Sequence, residues 1–165
     1  MYYFEEGDIL LTDFDGVYVD SQDRFLEVMQ DEKSFDLWME YLNSINWRTF
    51  LKECEENENA TETFLVLQEL GILQGFITKI HSFEEGKEKS NFIRERGLIV
   101  PIYYVLPQQA KSTVYIPNRK TILLDDNYEN VIDWEDKGGK SIIFNPNSKK
   151  ENKKLIKKLD KLLTK

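Results

Sequence analysis

Two carboxylates, Asp13 and Asp15, stand one residue apart where the apolar run Ile9-Leu10-Leu11-Thr12 stops and Gly16-Val17 begins. In an extended strand residues i and i+2 face the same way, so two negative charges would crowd one small volume at the strand's carboxyl end. Such crowding asks for a cation. Three more polar groups follow other apolar runs: Thr78 with Lys79 beside it after Gly75-Phe76-Ile77, Lys111 after Ile99 to Val105, and Asp125-Asp126 after Thr121-Ile122-Leu123-Leu124. If those runs are parallel strands, their carboxyl ends share one edge, and that edge is where open α/β sheets place ligands. His81 is the single histidine and Cys54 the single cysteine, so the sequence excludes a multi-histidine metal site, an internal disulfide and a histidine relay. Catalysis must then run on carboxylates.

The elements that would position these groups alternate. After the first strand, residues 21–70 read as helices only. Ser34 can cap a segment with Phe35, Trp38, Tyr41 and Leu42, and Asn46 another with Trp47, Phe50 and Leu51. Thr61 to Leu70 makes a third, stopped by Gly71. From there strands and helices take turns: Gly75-Phe76-Ile77-Thr78, a helix opened by the capping-box pair Ser82 and Glu85 and stopped by Gly97, Ile99 to Val105, Thr121 to Leu124, a helix over Tyr128 to Lys137 closed by Gly138-Gly139, and Ser141 to Phe144. Alternation of this kind predicts an α/β fold, a parallel central sheet with helices on both faces. The helical stretch after the first strand is longer than a crossover needs. It is expected to be a small cap inserted over residues 21–70, with residues 1–20 and 71–165 forming the core domain.

Each singled-out residue also has a purely structural use. Asp125-Asp126-Asn127 fits a turn and N-cap before the helix at Tyr128, Thr78 a satisfied hydroxyl at a strand end, and Lys111 a surface lysine, with Lys79 as its substitute. Asp13 and Asp15 could be a strand end with a capping aspartate. His81 fits a capping or surface role. Trp38, Tyr41, Trp47 and Phe50 could stack on a nucleobase, but aromatic residues at helical spacing more commonly form the core of their own segment.

Charge and composition narrow the partners. The 165 residues carry a net charge of −8, but residues 149–165 hold eight lysines against Glu151 and Asp160, so the body is more acidic than the total. An acidic body repels a nucleic-acid duplex, and the lysines share their segment with Leu155, Ile156, Leu159, Leu162 and Leu163 at helical spacing, which predicts a packed terminal helix with a solvated lysine face, the alternative being a partner-binding role. No apolar run approaches the roughly 18 residues of a membrane span, and Met1-Tyr2-Tyr3-Phe4-Glu5-Glu6 lacks the basic-then-apolar order of a secretory signal. The expectation is a cytoplasmic protein that binds neither membrane nor nucleic acid.

Asp13-x-Asp15-Gly16-Val17, Thr78, Lys111 and Asp125-Asp126, in this order, resemble the four motifs of the haloacid dehalogenase (HAD) superfamily, in its phosphatase branch. The helical insert, Leu123-Leu124-Asp125-Asp126-Asn127 and Trp134-Glu135-Asp136-Lys137-Gly138-Gly139 are similar to the cytosolic deoxyribonucleotidase and phage or bacterial nucleotidase-like group. The resemblance implies a Rossmann-like three-layer sandwich with the cap after the first strand. It also implies a magnesium-dependent phosphomonoester hydrolase acting on a small phosphorylated metabolite, with a nucleoside monophosphate as the candidate. Asp13 would be the nucleophile that becomes an aspartyl-phosphate, and Asp15 the general acid and then base. Thr78 and Lys111 would hold the phosphoryl oxygens. Mg2+ would be held by Asp13, the Asp15 backbone carbonyl and Asp126, with Asp125 in or near the layer of groups just behind these ligands. A phosphotransferase would use the same first steps, and a non-catalytic binding module would keep the fold without them.

Overall fold

In a computed structural model of the chain, which describes residues 4–21, 25, 35–57 and 59–144, five strands form one parallel sheet in the order β3-β2-β1-β4-β5. The strands are β1 (Ile9–Thr12), β2 (Leu73–Lys79), β3 (Ile102–Val105), β4 (Thr121–Asp125) and β5 (Lys140–Ile143), and the helices are α1 (Phe35–Ser44), α2 (Trp47–Glu53), α3 (Ala60–Glu69), α4 (Phe83–Glu95) and α5 (Tyr128–Asp136), with a short 3-10 turn at Lys111–Thr113. The α/β class expected from the alternation is the one found. The terminal lysine-rich helix expected over residues 149–165 lies outside the described residues.

Caps fall where short polar side chains permit them. Asn46 accepts from the Thr49 amide (3.1 Å) at the start of α2, Asn127 from the Glu129 amide (2.8 Å) at the start of α5, and Ser82 from the Glu85 amide (3.1 Å) at the start of α4. The last departs from a capping box. Glu85 returns its carboxylate to the amide of His81 (2.7 Å), one residue before the cap, and not to that of Ser82. Sequence boundaries shift by a few residues: β2 starts two residues earlier than expected, and β3 starts only at Ile102, because Ile99 is 77 % exposed and lies ahead of the pairing with β2.

Apolar residues sort onto the two faces by the two-residue period of a strand. One face buries Leu10, Phe76, Ile122 and Ile142 with Trp47, Phe50 and Leu51 of α2, Phe64 and Leu67 of α3, and Phe92 and Ile93 of α4. The other buries Leu11, Ile77, Val105 and Leu123 against Trp134 of α5, with Tyr103 and Tyr115 alongside. The result is three layers. Trp47 and Phe50 are buried in the first cluster, where Phe25 packs on both rings, so their aromatic surface belongs to the core. Tyr41 is half-buried.

The order of strands decides where a site can form. Chain progress runs outward from β1 to β2 and β3 on one side and then to β4 and β5 on the other, so the connections beside β1 leave toward opposite faces. That reversal opens a crevice at the carboxyl ends of β1 and β4.

Candidate active site

Asp13 directly follows β1 and stays in the sheet's hydrogen bonding, its amide donating to the Leu124 carbonyl at 2.8 Å. After it the chain coils tightly. The amides of Tyr18 and Val19 both donate to the Phe14 carbonyl (2.9 and 3.1 Å), and that of Gly16 to the Val19 carbonyl (2.8 Å). Gly16 has φ +72°, a left-handed conformation that glycine adopts without strain, and a Cβ there would collide with the Asp126 carboxylate. Absence of a side chain is thus what lets the turn after β1 and the end of β4 approach each other.

Four of the residues singled out above meet in one cluster. Lys111, from the 3-10 turn after β3, is 1 % exposed and pairs with Asp13 Oδ2 at 2.7 Å and Asp125 Oδ2 at 2.6 Å. Asp13 Oδ1 accepts from the Phe14 amide at 2.7 Å, so both oxygens of this carboxylate are held. Asp125 Oδ1 accepts from the Asn127 amide (2.9 Å) and from Asn130 Nδ2 (3.0 Å), which anchors the end of β4 to the first turn of α5. Asp126 completes the group: Asp13, Asp125 and Asp126 each offer a carboxylate oxygen, all within 4.8 Å of one another, and all three residues are buried.

Three carboxylates around one ammonium leave excess negative charge in a buried place. Burial, first, and then the neighbouring carboxylates raise the Asp13 pKa, with Lys111 working against them. Asp126 is pushed up to about 7, chiefly by burial and next by Asp125. Lys111 moves up as well: burial would lower it, and the charges of Asp13 and Asp125 outweigh burial. This donor set fits a hard divalent cation. Its ligands are all oxygens, its charge is short by more than one unit, and an ion such as Mg2+ prefers carboxylates accompanied by water and phosphate.

Asp15 and Thr78 meet one step away, in a second cluster with a residue the sequence reading passed over. Thr78 Oγ1 lies 3.3 Å from Asp15 Oδ2, and Ser21 Oγ donates to Asp15 Oδ1 at 2.8 Å. Lys89 of α4, also 1 % exposed, reaches Asp15 Oδ2 at 2.6 Å and Glu85 Oε1 at 2.7 Å. Glu85 Oε2 in turn faces His81 Nδ1 at 3.2 Å. The two clusters are built alike: each seats a buried lysine between two carboxylates. Lys79 turns its carbonyl inward to accept from Lys89 at 2.9 Å. Glu85 and Lys89, four apart, were visible in the sequence as a helical ion pair. Nothing in the sequence said that this pair is buried, since α4 carries only Phe83, Phe92 and Ile93 as large apolar residues.

No protein-family model matches the chain, and no curated protein does. Solved structures do. A HAD-superfamily hydrolase from Ehrlichia chaffeensis superposes with a TM-score of 0.55 at 11 % identity, over 94 % of this chain and 97 % of that one. A HAD hydrolase of family IA, variant 3, from Entamoeba histolytica superposes with a TM-score of 0.56 at 14 % identity, over 96 % of this chain and 100 % of that one. With the parallel sheet, its strand order and an overlap of more than nine-tenths of the chain, these likenesses show that the chain has the HAD-like fold of those hydrolases.

Proposed function

We propose that the protein is a phosphomonoester hydrolase of the HAD type, dependent on a divalent cation with Mg2+ as the expected ion, and that its substrate is a small phosphorylated metabolite, a nucleoside monophosphate first among those to test. The observation that carries this reading is the meeting of Asp13, Asp125 and Asp126 within 4.8 Å beside Lys111. These residues come from stretches far apart in the sequence, and burying them together without a site is unfavourable, because uncompensated buried charge is costly.

Asp13 attacks phosphorus through a carboxylate oxygen, forming the acyl-phosphate bond as the bond from phosphorus to the leaving oxygen breaks. The Phe14 amide and Lys111 hold the carboxylate's plane for that attack. Asp15 gives a proton to the departing oxygen and afterwards takes one from the water that attacks the phosphorus, which returns Asp13 as a free carboxylate. Among the described residues Lys111 has two carboxylate partners for three ammonium protons, so the third is available to a phosphoryl oxygen. Thr78 Oγ1 is the hydroxyl at the same edge. A cation held by Asp13 and Asp126 would offset the charge that builds on the phosphoryl oxygens.

Purified protein should release phosphate from an aryl phosphate when Mg2+ is supplied, and lose this activity on chelation. Asp13→Asn should abolish turnover while keeping the fold, since an asparagine oxygen still accepts from Phe14 and Lys111 keeps Asp125. An Asp13→Asn variant as active as the unaltered protein refutes the nucleophile. Screening nucleoside monophosphates against sugar phosphates tests the substrate class.

A further inference from the structure

Lys89 is a buried charge, 1 % exposed, that the reaction above does not use. An ammonium has three protons, and here three strong acceptors take them: Asp15 Oδ2 at 2.6 Å, Glu85 Oε1 at 2.7 Å and the Lys79 carbonyl at 2.9 Å, with Thr78 Oγ1 further off at 3.3 Å. None is left for a phosphoryl oxygen, in contrast with Lys111. The ammonium also sits 5.5 Å from the Phe14 ring centroid, so an apolar wall closes its remaining side. Glu85 is itself immobilised. Its Oε2 accepts from the His81 amide and faces His81 Nδ1, while its own amide is bonded to Ser82, so the anchor rests on the first turn of α4.

Resting on the phosphatase reading, we propose that Lys89 is a positioning residue for Asp15: with Glu85 and the Lys79 carbonyl as its fixed base, it clamps Asp15 Oδ2 and leaves Oδ1, which accepts from the Ser21 hydroxyl on one lone pair, to exchange protons with leaving group and water on the other. Asp15 needs such a clamp. It is 28 % exposed at its side chain and follows a coiled turn, and Ser21 and Thr78 are its other side-chain partners. A misplaced general acid loses much of a contribution that commonly amounts to 10²–10⁴ in rate.

Because Lys89 acts through Asp15, its loss should be felt where the leaving group needs a proton. In Lys89→Met, kcat on a simple alkyl phosphate should fall by about 100-fold or more, while kcat on 4-nitrophenyl phosphate, whose leaving group departs without a proton, should fall only several-fold. KM and the Mg2+ concentration for half-maximal activity should stay near those of the unaltered protein. The double variant Glu85→Gln, Lys89→Met removes both charges of the pair and guards against misfolding caused by a stranded carboxylate; it should show the same split. Equal losses on both substrates, or none on either, overturn the proposal. Complete inactivity of the unaltered protein toward every phosphomonoester overturns the function reading instead. In that case crystal structures still decide the clamp: an Asp15 carboxylate turned away from Thr78 and Ser21 in the double variant supports it, and an unmoved one sinks it.

Discussion

At the scale of single residues the site is governed by how few places can host a charge away from water. Lys111 and Lys89 are tolerated at 1 % exposure because each is paired twice at 2.7 Å or less. Such pairs add little net stability, but breaking one by removing a partner typically costs about 3–5 kcal/mol. Gly16 is the neutral counterpart. Its φ of +72° and the Asp126 carboxylate behind it leave no space for a methyl group. Gly16→Ala should therefore displace Asp126, weaken cation binding at least tenfold and lower activity at subsaturating Mg2+. Calorimetric titration with Mg2+ checks this, and an unchanged affinity would show that Asp126 is not a ligand.

At the scale of elements, α4 does more than cover the sheet. Its first turn fastens Glu85 to His81 and Ser82, and its next turn presents Lys89 to the carboxyl end of β1. Burial acts to raise the Glu85 pKa, but the His81 hydrogen bonds and the Lys89 charge outweigh it, so it lies below its usual 4.5. Since the folded state holds this proton less tightly than the unfolded one, Glu85 contributes stability above about pH 4.5 that drains away as the pH falls through the lower, folded value. The prediction is that Tm of Glu85→Gln lies below that of the unaltered protein at pH 7 and that the gap narrows toward pH 3. Thermal melts across that range measure it; a gap that widens on acidification would contradict the assignment.

At the scale of the whole molecule, two apolar layers hold the carboxyl ends of β1 and β4 side by side. Trp134 carries the smaller layer: it is fully buried against Leu123, is stacked on Tyr115 at 6.1 Å, and donates from its indole to the Thr121 carbonyl at 3.4 Å. Trp134→Ala should cost about 3–5 kcal/mol, read in urea unfolding. A bound cation should act in the opposite direction. At about 100 times its Kd it adds roughly 2.7 kcal/mol, and Asp126→Asn should erase most of the resulting rise in Tm. A Mg2+-induced rise that survives in Asp126→Asn would place the cation elsewhere.

Legible in the residues alone was whatever depends on neighbours in the chain. The two-residue spacing of Asp13 and Asp15, the apolar runs that became β1, β2 and β4, the caps at Asn46 and Ser82, and the glycine at 16 are local, and local sterics and hydrogen bonding decide them. Their order along the chain was enough to expect a parallel sheet with polar groups along one edge. Partnership across the fold was not readable. Glu85 and Lys89 look like an ordinary exposed pair until α4 packs on the face that buries Phe92 and Ile93, and Ser82 capped its helix while Glu85 went to His81. The 3-10 turn likewise carries Lys111 inward to Asp13 and Asp125, where its neighbours in sequence would leave it in water. Burial depends on which surfaces meet at a distance in sequence, so only the assembled tertiary structure could show that two lysines, each between two carboxylates, support this edge.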